Sequence, residues 1–343
     1  MAWAGTLVSR TFRSREARAR AVARPRVVTI GGGTGQFNAL TGLRALGVPL
    51  TAVVTMMDSG GSSGRLRDEY GILPPGDFTR CMVALSRQPA ATKEMLTHRF
   101  LGGSLHGHTL RNVMFAAVEQ ITGDTACTIE RLHEVFDVDG RVLPVTLDKV
   151  HLAVDLANGR MYRGEATIDG LVDLLEAPVR DVRLEPDADA FPPALEAIRD
   201  ADLIVLGPGD LFTSVVPNLL VRGVTQALAA SAARIVYVCN LMTKRNETPG
   251  FTVPDFVDTV ARYLGGREID AVLYNAVWPS HQVELYASVG SAPVDLGLLA
   301  DHPWADRCVG HDLLSEGRYI RHDPHKLAAA VAQLAAAKGW FDL

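Results

Sequence analysis

The sequence predicts an α/β fold: a Rossmann-like, doubly wound, mainly parallel sheet carrying a helical and β-hairpin insertion. Three observations predict it. Val27-Val28-Thr29-Ile30, Leu203–Leu206 and Ile235–Cys239 are short apolar runs without polar alternation, as strands buried on both faces require. Glycines follow the first two runs at once, in Gly31-Gly32-Gly33-Thr34-Gly35 and Gly207-Pro208-Gly209. Helix-period apolar residues, such as Leu40 and Leu43, then lead from one run to the next.

The elements follow in order. The first strand, a helix through Leu46 and a second strand over Leu50–Met57 form a β-α-β unit, whose strands should be parallel neighbours. Helical spacing then covers Phe78–Ser86, Thr92–Phe100 and Leu110–Ile121. Val150–Leu156 and Arg160–Ala166 alternate around Ala157-Asn158-Gly159 and read as an antiparallel hairpin. After Leu203–Leu206 the pattern gives a helix from about Val215 to Ala230. A strand at Ile235–Cys239, a helix over Pro254–Leu264, a strand at Ala271–Tyr274 and a last helix over His325–Ala337 complete it. There is no internal repeat and no long linker. Residues 1–25 read as a disordered basic extension and 26–343 as a single domain.

Composition narrows the function. Of 343 residues, 48% are hydrophobic and 21% charged, which excludes general disorder. Aromatics are 6%, too few for a nucleic-acid stacking platform to dominate. Net charge is −5 overall, but residues 1–26 hold seven arginines and one acid, so the arm's +6 leaves −11 on the rest. The arm lacks the apolar run of a secretory signal. Its Arg-rich, acid-poor character leaves a mitochondrial transit peptide as one reading and a featureless extension as the other. No run approaches the ~20 apolar residues of a membrane span. Cys81, Cys127, Cys239 and Cys308 form no CxxC pair, which argues for buried thiols in a reducing compartment.

The glycine turns carry the chemistry. Gly31–Gly35 lets the backbone approach a pyrophosphate and aims a helix N-terminus at it. It is neither a clean GxGxxG nor a Walker A loop, because Gln36 or Asn38 stands at the third glycine position and no Gly-Lys-Ser/Thr follows. Asp58-Ser59-Gly60-Gly61-Ser62-Ser63-Gly64-Arg65 follows the second strand and should share the same sheet edge. Asp58 stands where a carboxylate can bind ribose hydroxyls or a metal. The alternative is a flexible Ser/Gly linker. A nucleophile elbow at Gly60-x-Ser62-x-Gly64 needs a helix directly after the serine, and the charged Arg65–Tyr70 followed by Pro74-Pro75-Gly76 speaks against one. Gly207–Gly209 repeats the turn logic, with Thr213 or Ser214 able to cap the next helix. Asn240-Leu241-Met242-Thr243 joins the same rim. Asp77 should head a helix as its N-cap, with a catalytic or metal role open if its loop faces the crevice. His106-x-His108, with His98 nearby, lacks an acidic partner and makes a poor metal site.

At these residues the chain resembles the YvcK, or gluconeogenesis-factor, family, which is related to CofD, the 2-phospho-L-lactate transferase of deazaflavin coenzyme synthesis. The resemblance rests on VVTIGGGTG (27–35), GGSSGRLRDEYGILPPGD (60–77), GHTLRNVMFAAVEQITGD (107–124), RVLPVT (141–146), ADLIVLGPGDLFTSVVPNLLV (201–221), VYVCNLMTKRNET (236–248), IDAVLYN (269–275) and RHD (321–323). It implies a CofD-like fold, a cytoplasmic location and a UDP-sugar ligand, such as UDP-N-acetylglucosamine. It also implies a part in carbon metabolism and cell-wall or cell-shape regulation, with a homo-oligomer or a regulatory protein partner left open.

The ligand-binding residues it implies begin with Gly31, Gly32, Gly33, Thr34, Gly35, Asp58, Gly60, Gly61, Ser62, Ser63 and Asn112. They continue with Gly207, Pro208, Gly209, Thr213, Ser214, Asn218, Asn240, Met242, Thr243 and Arg321. The alternative is a CofD-like transferase, with Asp58 and Asp77 catalytic and holding a divalent metal. A Rossmann oxidoreductase reading NADP through Ser62, Ser63 and Arg65 explains only the first two loops. Three departures from the family pattern stand out. Asp58-Ser59 replaces a pair of aspartates, which weakens metal binding. Gly76-Asp77-Phe78-Thr79-Arg80 replaces a GDIRN-like segment. Pro324 stands where a phosphorylatable threonine often follows RHD.

Overall fold

The structure is a computed structural model and describes residues 24–169, 177–278, 283, 290–317 and 319–340. The extension expected over residues 1–25 lies almost wholly outside the described residues.

A seven-stranded parallel sheet forms the centre. Its strands are β1 (Val27–Gly31), β2 (Leu50–Val54), β3 (Arg141–Pro144), β7 (Leu203–Leu206), β8 (Arg234–Val238), β9 (Ala271–Asn275) and β10 (Cys308–His311), in the order β10-β9-β8-β7-β1-β2-β3. The chain leaves β1 in one direction, through β2 and β3, and returns to place β7 on its other side. The order therefore reverses between β1 and β7, and in such sheets the strand C-termini part there into a crevice. Ile30, Val53, Val205 and Val236 are fully buried, as the apolar runs required.

Helices cover both faces: α1 (Gly33–Arg44), α2 (Gly61–Tyr70), α3 (Gly76–Leu85), α4 (Ala90–Thr97), α5 (Leu110–Thr122) and α6 (Thr125–Val135) in the first half. Phe78 and Phe115 meet edge to face at 6.1 Å and fasten α3 to α5. The second half supplies α8 (Pro192–Asp200), α9 (Val216–Leu220), α10 (Val224–Ala230), α11 (Val253–Tyr263) and α12 (Pro324–Ala337). The hairpin is present as β4 (His151–Leu156) and β5 (Met161–Arg163). A third strand, β6 (Val179–Glu185), extends it, and the short α7 (Glu165–Asp169) follows it.

Several expectations need correction. Gly61–Tyr70 is a helix, so neither the linker nor the charge-based objection to a helix holds. The single helix expected from Val215 to Ala230 is three pieces: a π-turn over Leu211–Val215, then α9 and α10. The break at Val221–Gly223 has a tertiary cause. Arg222 N donates to Ala188 O at 2.9 Å, and its guanidinium pairs with Asp189 at 2.8 Å, which ties this point to the end of the small sheet. Only Cys81 and Cys239 are buried; Cys127 is exposed. Among the described residues no helix is long and apolar enough to cross a membrane.

Candidate functional site

The two glycine turns meet at the reversal point. Gly33, the first residue of α1, has φ +67, a backbone that favours glycine. The turns approach so closely that a Cβ on Gly35 would lie 2.3 Å from Pro208 O. Between them opens a cavity of about 310 Å³ lined by Gly32, Gly33, Thr34 and Gly35 on one side and Pro208, Gly209, Asp210 and Ser214 on the other. Asn38, Asn240, Leu241, Met242, Ile320, Arg321 and His322 close the wall.

Each wall is held by buried polar contacts. Gln36, at the position where a third glycine was sought, is fully buried. Its Nε2 donates to Thr29 Oγ1 at 3.1 Å and Val53 O at 3.0 Å, which stitches α1 to β1 and β2. Asn218 Nδ2 donates to Ser214 O at 2.8 Å and to Gly31 O at 3.3 Å, joining the two halves under the turns. Asn240 Nδ2 donates to Gly209 O at 2.9 Å and fixes the second turn.

Sequence reasoning missed the group that secures this second turn. Glu247, with a side chain 1% exposed, accepts from Phe212 N at 3.0 Å and Thr213 Oγ1 at 3.1 Å. Lys244 Nζ bridges Glu247 at 2.6 Å and Asp210 at 2.7 Å. Thr213 therefore faces Glu247, and neither it nor Ser214 caps a helix as expected. Asp210 is the N-cap residue and makes no side-chain cap bond. The only hint in sequence was an acid and a lysine just after a strand end.

Asp77 is not the N-cap of α3; that position is Pro75, and Asp77 lies in the first turn. Its carboxylate reaches across to the first glycine turn, where it accepts from the Gly33 backbone. A Cβ on Gly32 would stand 2.8 Å from Asp77 Oδ2. Burial and then the neighbouring Asp58 push the Asp77 carboxyl up to about 6, against the opposing pull of Arg80. Arg80 in turn donates to Thr34 Oγ1 at 2.9 Å on the crevice wall.

The loop after β2 is organised differently. Ser62 Oγ lies 2.9 Å from His108 Nδ1 and accepts from Asn112 Nδ2 at 3.1 Å. Asn112 Oδ1 accepts from Thr79 Oγ1 at 2.8 Å. Ser62, His108, Asn112 and Thr79 are all buried. Burial lowers the His108 pKa, so the ring is neutral and Nδ1 can accept from Ser62. Ser63, Gly60, Gly61, Asn112, Asn218, Thr213, Thr243, Gly31 and Gly207 do not line the crevice, and Thr243 Oγ1 is bonded to Ala292 O at 3.2 Å.

The donor set does not suit a divalent metal. Asp58 Oδ1 accepts from Gly60 N at 2.9 Å, Asp77 is taken by Gly33 and Asp210 by Lys244. Among the described residues no three His, Cys, Asp or Glu side chains converge. His108, bonded to Ser62, is not one of a ligand pair.

A parallel sheet with two glycine turns facing each other across its reversal point defines an α/β protein with a crevice at helix and strand ends. The family model described as 2-phospho-L-lactate transferase CofD matches residues 27–304. A relative from Nostoc sp. is 41% identical over 89% of this chain and 67% of its own length. One from Thermotoga maritima is 39% identical over 90% of this chain and 99% of its own. The gluconeogenesis factor of Bacillus subtilis is 36% identical over 91% of this chain and 98% of its own. A crystal structure of a UPF0052-family protein from Bacillus halodurans superimposes with a TM-score of 0.85 at 36% identity, covering 90% of this chain and 99% of that one. The chain belongs to the gluconeogenesis-factor (YvcK, UPF0052) family, within the wider CofD pattern. It spans about two thirds of the length of the Nostoc and Deinococcus radiodurans relatives.

Proposed function

We propose that the crevice between β1 and β7 binds a UDP-sugar, and that the protein is a regulator whose state this ligand sets. The observation that carries the reading is the pairing of two glycine turns with Arg321 on one wall. Backbone N–H groups at the start of α1 suit a diphosphate, and Thr34, Ser214 and Asn240 add polar side chains. Arg321 is exposed at the mouth and supplies the cation that an acidic body otherwise withholds from an anionic ligand. Met242 and Ile320 offer apolar surface to a base or sugar ring. Asp58, Ser62, Ser63 and Asn112 then support the ligand from behind the first turn.

Calorimetry with UDP-N-acetylglucosamine tests this. Saturable heat is expected, with affinity reduced at least about tenfold in Arg321→Glu. Absence of heat and of a thermal shift at millimolar ligand sinks the reading. The relatives' name, gluconeogenesis factor, supports a part in growth on gluconeogenic carbon; cell-wall and shape control is the outlet proposed for it. A deletion strain that grows normally on such carbon would count against it.

The CofD pattern favours a second reading, transfer from a nucleotide diphosphate donor to a hydroxyl acceptor. Asp77, held part-protonated near neutrality, is its candidate for proton transfer. Turnover of such a donor, lost in Asp77→Asn, is the readout that favours it over regulation.

A further inference from the structure

Asp210 lines the crevice directly after the second glycine turn, and the fold uses only part of its carboxylate. It is the N-cap of the π-turn over Leu211–Val215, yet its side chain makes no cap bond. Its Oδ2 accepts from Lys244 Nζ at 2.7 Å, and its Oδ1 has no hydrogen-bond partner among the described residues. Lys244 does not serve Asp210 alone, because the same ammonium lies 2.6 Å from Glu247. Two carboxylates thus share this one cation. The Glu247 side chain is sealed at 1% exposure, whereas that of Asp210 is 46% exposed. The surplus negative charge is therefore presented at Asp210. A carboxylate accepts hydrogen bonds and donates none, and it repels phosphate oxygens at close range. What it can take from a crevice ligand is a hydroxyl proton, away from the diphosphate.

We propose that Asp210 is the specificity-determining residue of the crevice, selecting a hydroxylated ring by accepting hydrogen bonds from its hydroxyl groups. The proposal rests on the reading of the crevice as a nucleotide-sugar site, and it names the group that tells such a ligand from a bare phosphate. Backbone N–H groups at the start of α1, together with Arg321, attract any anion of suitable size and discriminate little among them. Asp210 adds the discrimination, because a site made to receive a hydroxyl proton leaves its acceptor unpaired when the ligand lacks one. The Lys244–Glu247 pair behind Asp210 holds the carboxylate in place, so the hydroxyl meets an acceptor that is already positioned. The hydroxyls come either from the ribose or from the hexose.

The test is calorimetry on the full chain with inorganic pyrophosphate, UDP and UDP-N-acetylglucosamine. EDTA is present throughout, so that no divalent ion bridges Asp210 to a phosphate. Asp210→Asn keeps the side-chain shape and an oxygen for Lys244, and removes the charge. Affinity for UDP-N-acetylglucosamine should fall about tenfold or more. Pyrophosphate, which has no hydroxyl to offer, should bind as before or a few-fold tighter. If UDP weakens along with UDP-N-acetylglucosamine, the contact is to the ribose; if UDP keeps its affinity, the contact is to the hexose. If Asp210→Asn fails to fold, Asp210→Ser is measured against the same three ligands with the same expectation. An equal loss for all three ligands would mean that Asp210 only braces the turn, and overturns the proposal. Affinities that ignore the substitution overturn it too, and leave the crevice reading standing. A wild type that binds neither nucleotide overturns the crevice reading and this proposal together.

Discussion

Two regions on the same sheet edge, both rich in glycine, are put to opposite uses. The turn after β1 and its counterpart after β7 present backbone to open space, and the side chains that stabilise them, Gln36, Asn218 and Glu247, lie behind them. The loop after β2 turns inward, where Ser62, His108, Asn112 and Thr79 satisfy one another. Both are glycine-rich, though only the loop after β2 carries serines. What differs is whether the polar groups find partners inside the protein, and a polar group already paired inside gains little from a ligand.

The comparison can be tested by breaking each side. The largest effect should come from Glu247→Ala. It leaves Lys244, Thr213 and the Phe212 N–H without their buried acceptor, at a cost of about 3–5 kcal/mol in denaturant unfolding. The second turn should loosen, and crevice ligand binding should fall with it. Unchanged stability would mean that Glu247 does not secure this wall.

Gly35→Ala drives a methyl group against Pro208 O and should cost about 1–3 kcal/mol. It should also abolish binding, since the two turns can no longer meet. A variant that unfolds like wild type and still binds would show that their close approach is not needed.

Asp77→Asn separates the two regions by pH. The Asp77 carboxyl titrates near 6 in the fold against an ordinary 3.8, so between these values the native state holds more protons than the unfolded chain. Stability therefore falls as pH rises through that window, and the penalty is complete above it. The variant should be more stable than wild type at pH 7, by on the order of 1–2 kcal/mol, with the advantage gone near pH 4. His322, buried on the crevice wall and pushed down to about 4, acts in the opposite sense, its neutral-ring stability being lost from about pH 6.5 downward. Only the difference between variant and wild type isolates Asp77. A pH-independent difference would contradict the assignment.

Asn112→Ala should have the smallest effect. It removes the link between Thr79 and Ser62 and should cost about 1 kcal/mol. Crevice affinity should change by less than about threefold, because the network supports the site only from behind. A large loss of affinity here with little loss of stability would place the second loop in the ligand contact after all.

Much of this was legible in sequence because it is local. Apolar runs without alternation fix buried parallel strands, and a glycine turn between strand and helix fixes where backbone N–H groups collect. Gly32, Gly33, Thr34, Gly35, Pro208, Gly209, Ser214, Asn240, Met242 and Arg321 were read from such turns, strand ends and the family motifs, and all reach one cavity. The helix at Gly61–Tyr70 was obscured because its charged residues suggested solvent and its small residues suggested a linker. Its burial against neighbouring elements overrides both.

Other features depend on residues far apart in the chain. Glu247 serves Phe212 and Thr213, 35 and 34 positions away, and nothing in its own surroundings announces that. The split of the expected Val215–Ala230 helix is set by Arg222 reaching Asp189. Sequence by itself determined the strands, the turns and the family, since these follow from local periodicity and backbone freedom. The tertiary structure alone decided which polar groups are paired and which still lack a partner, because pairing depends on distance in space.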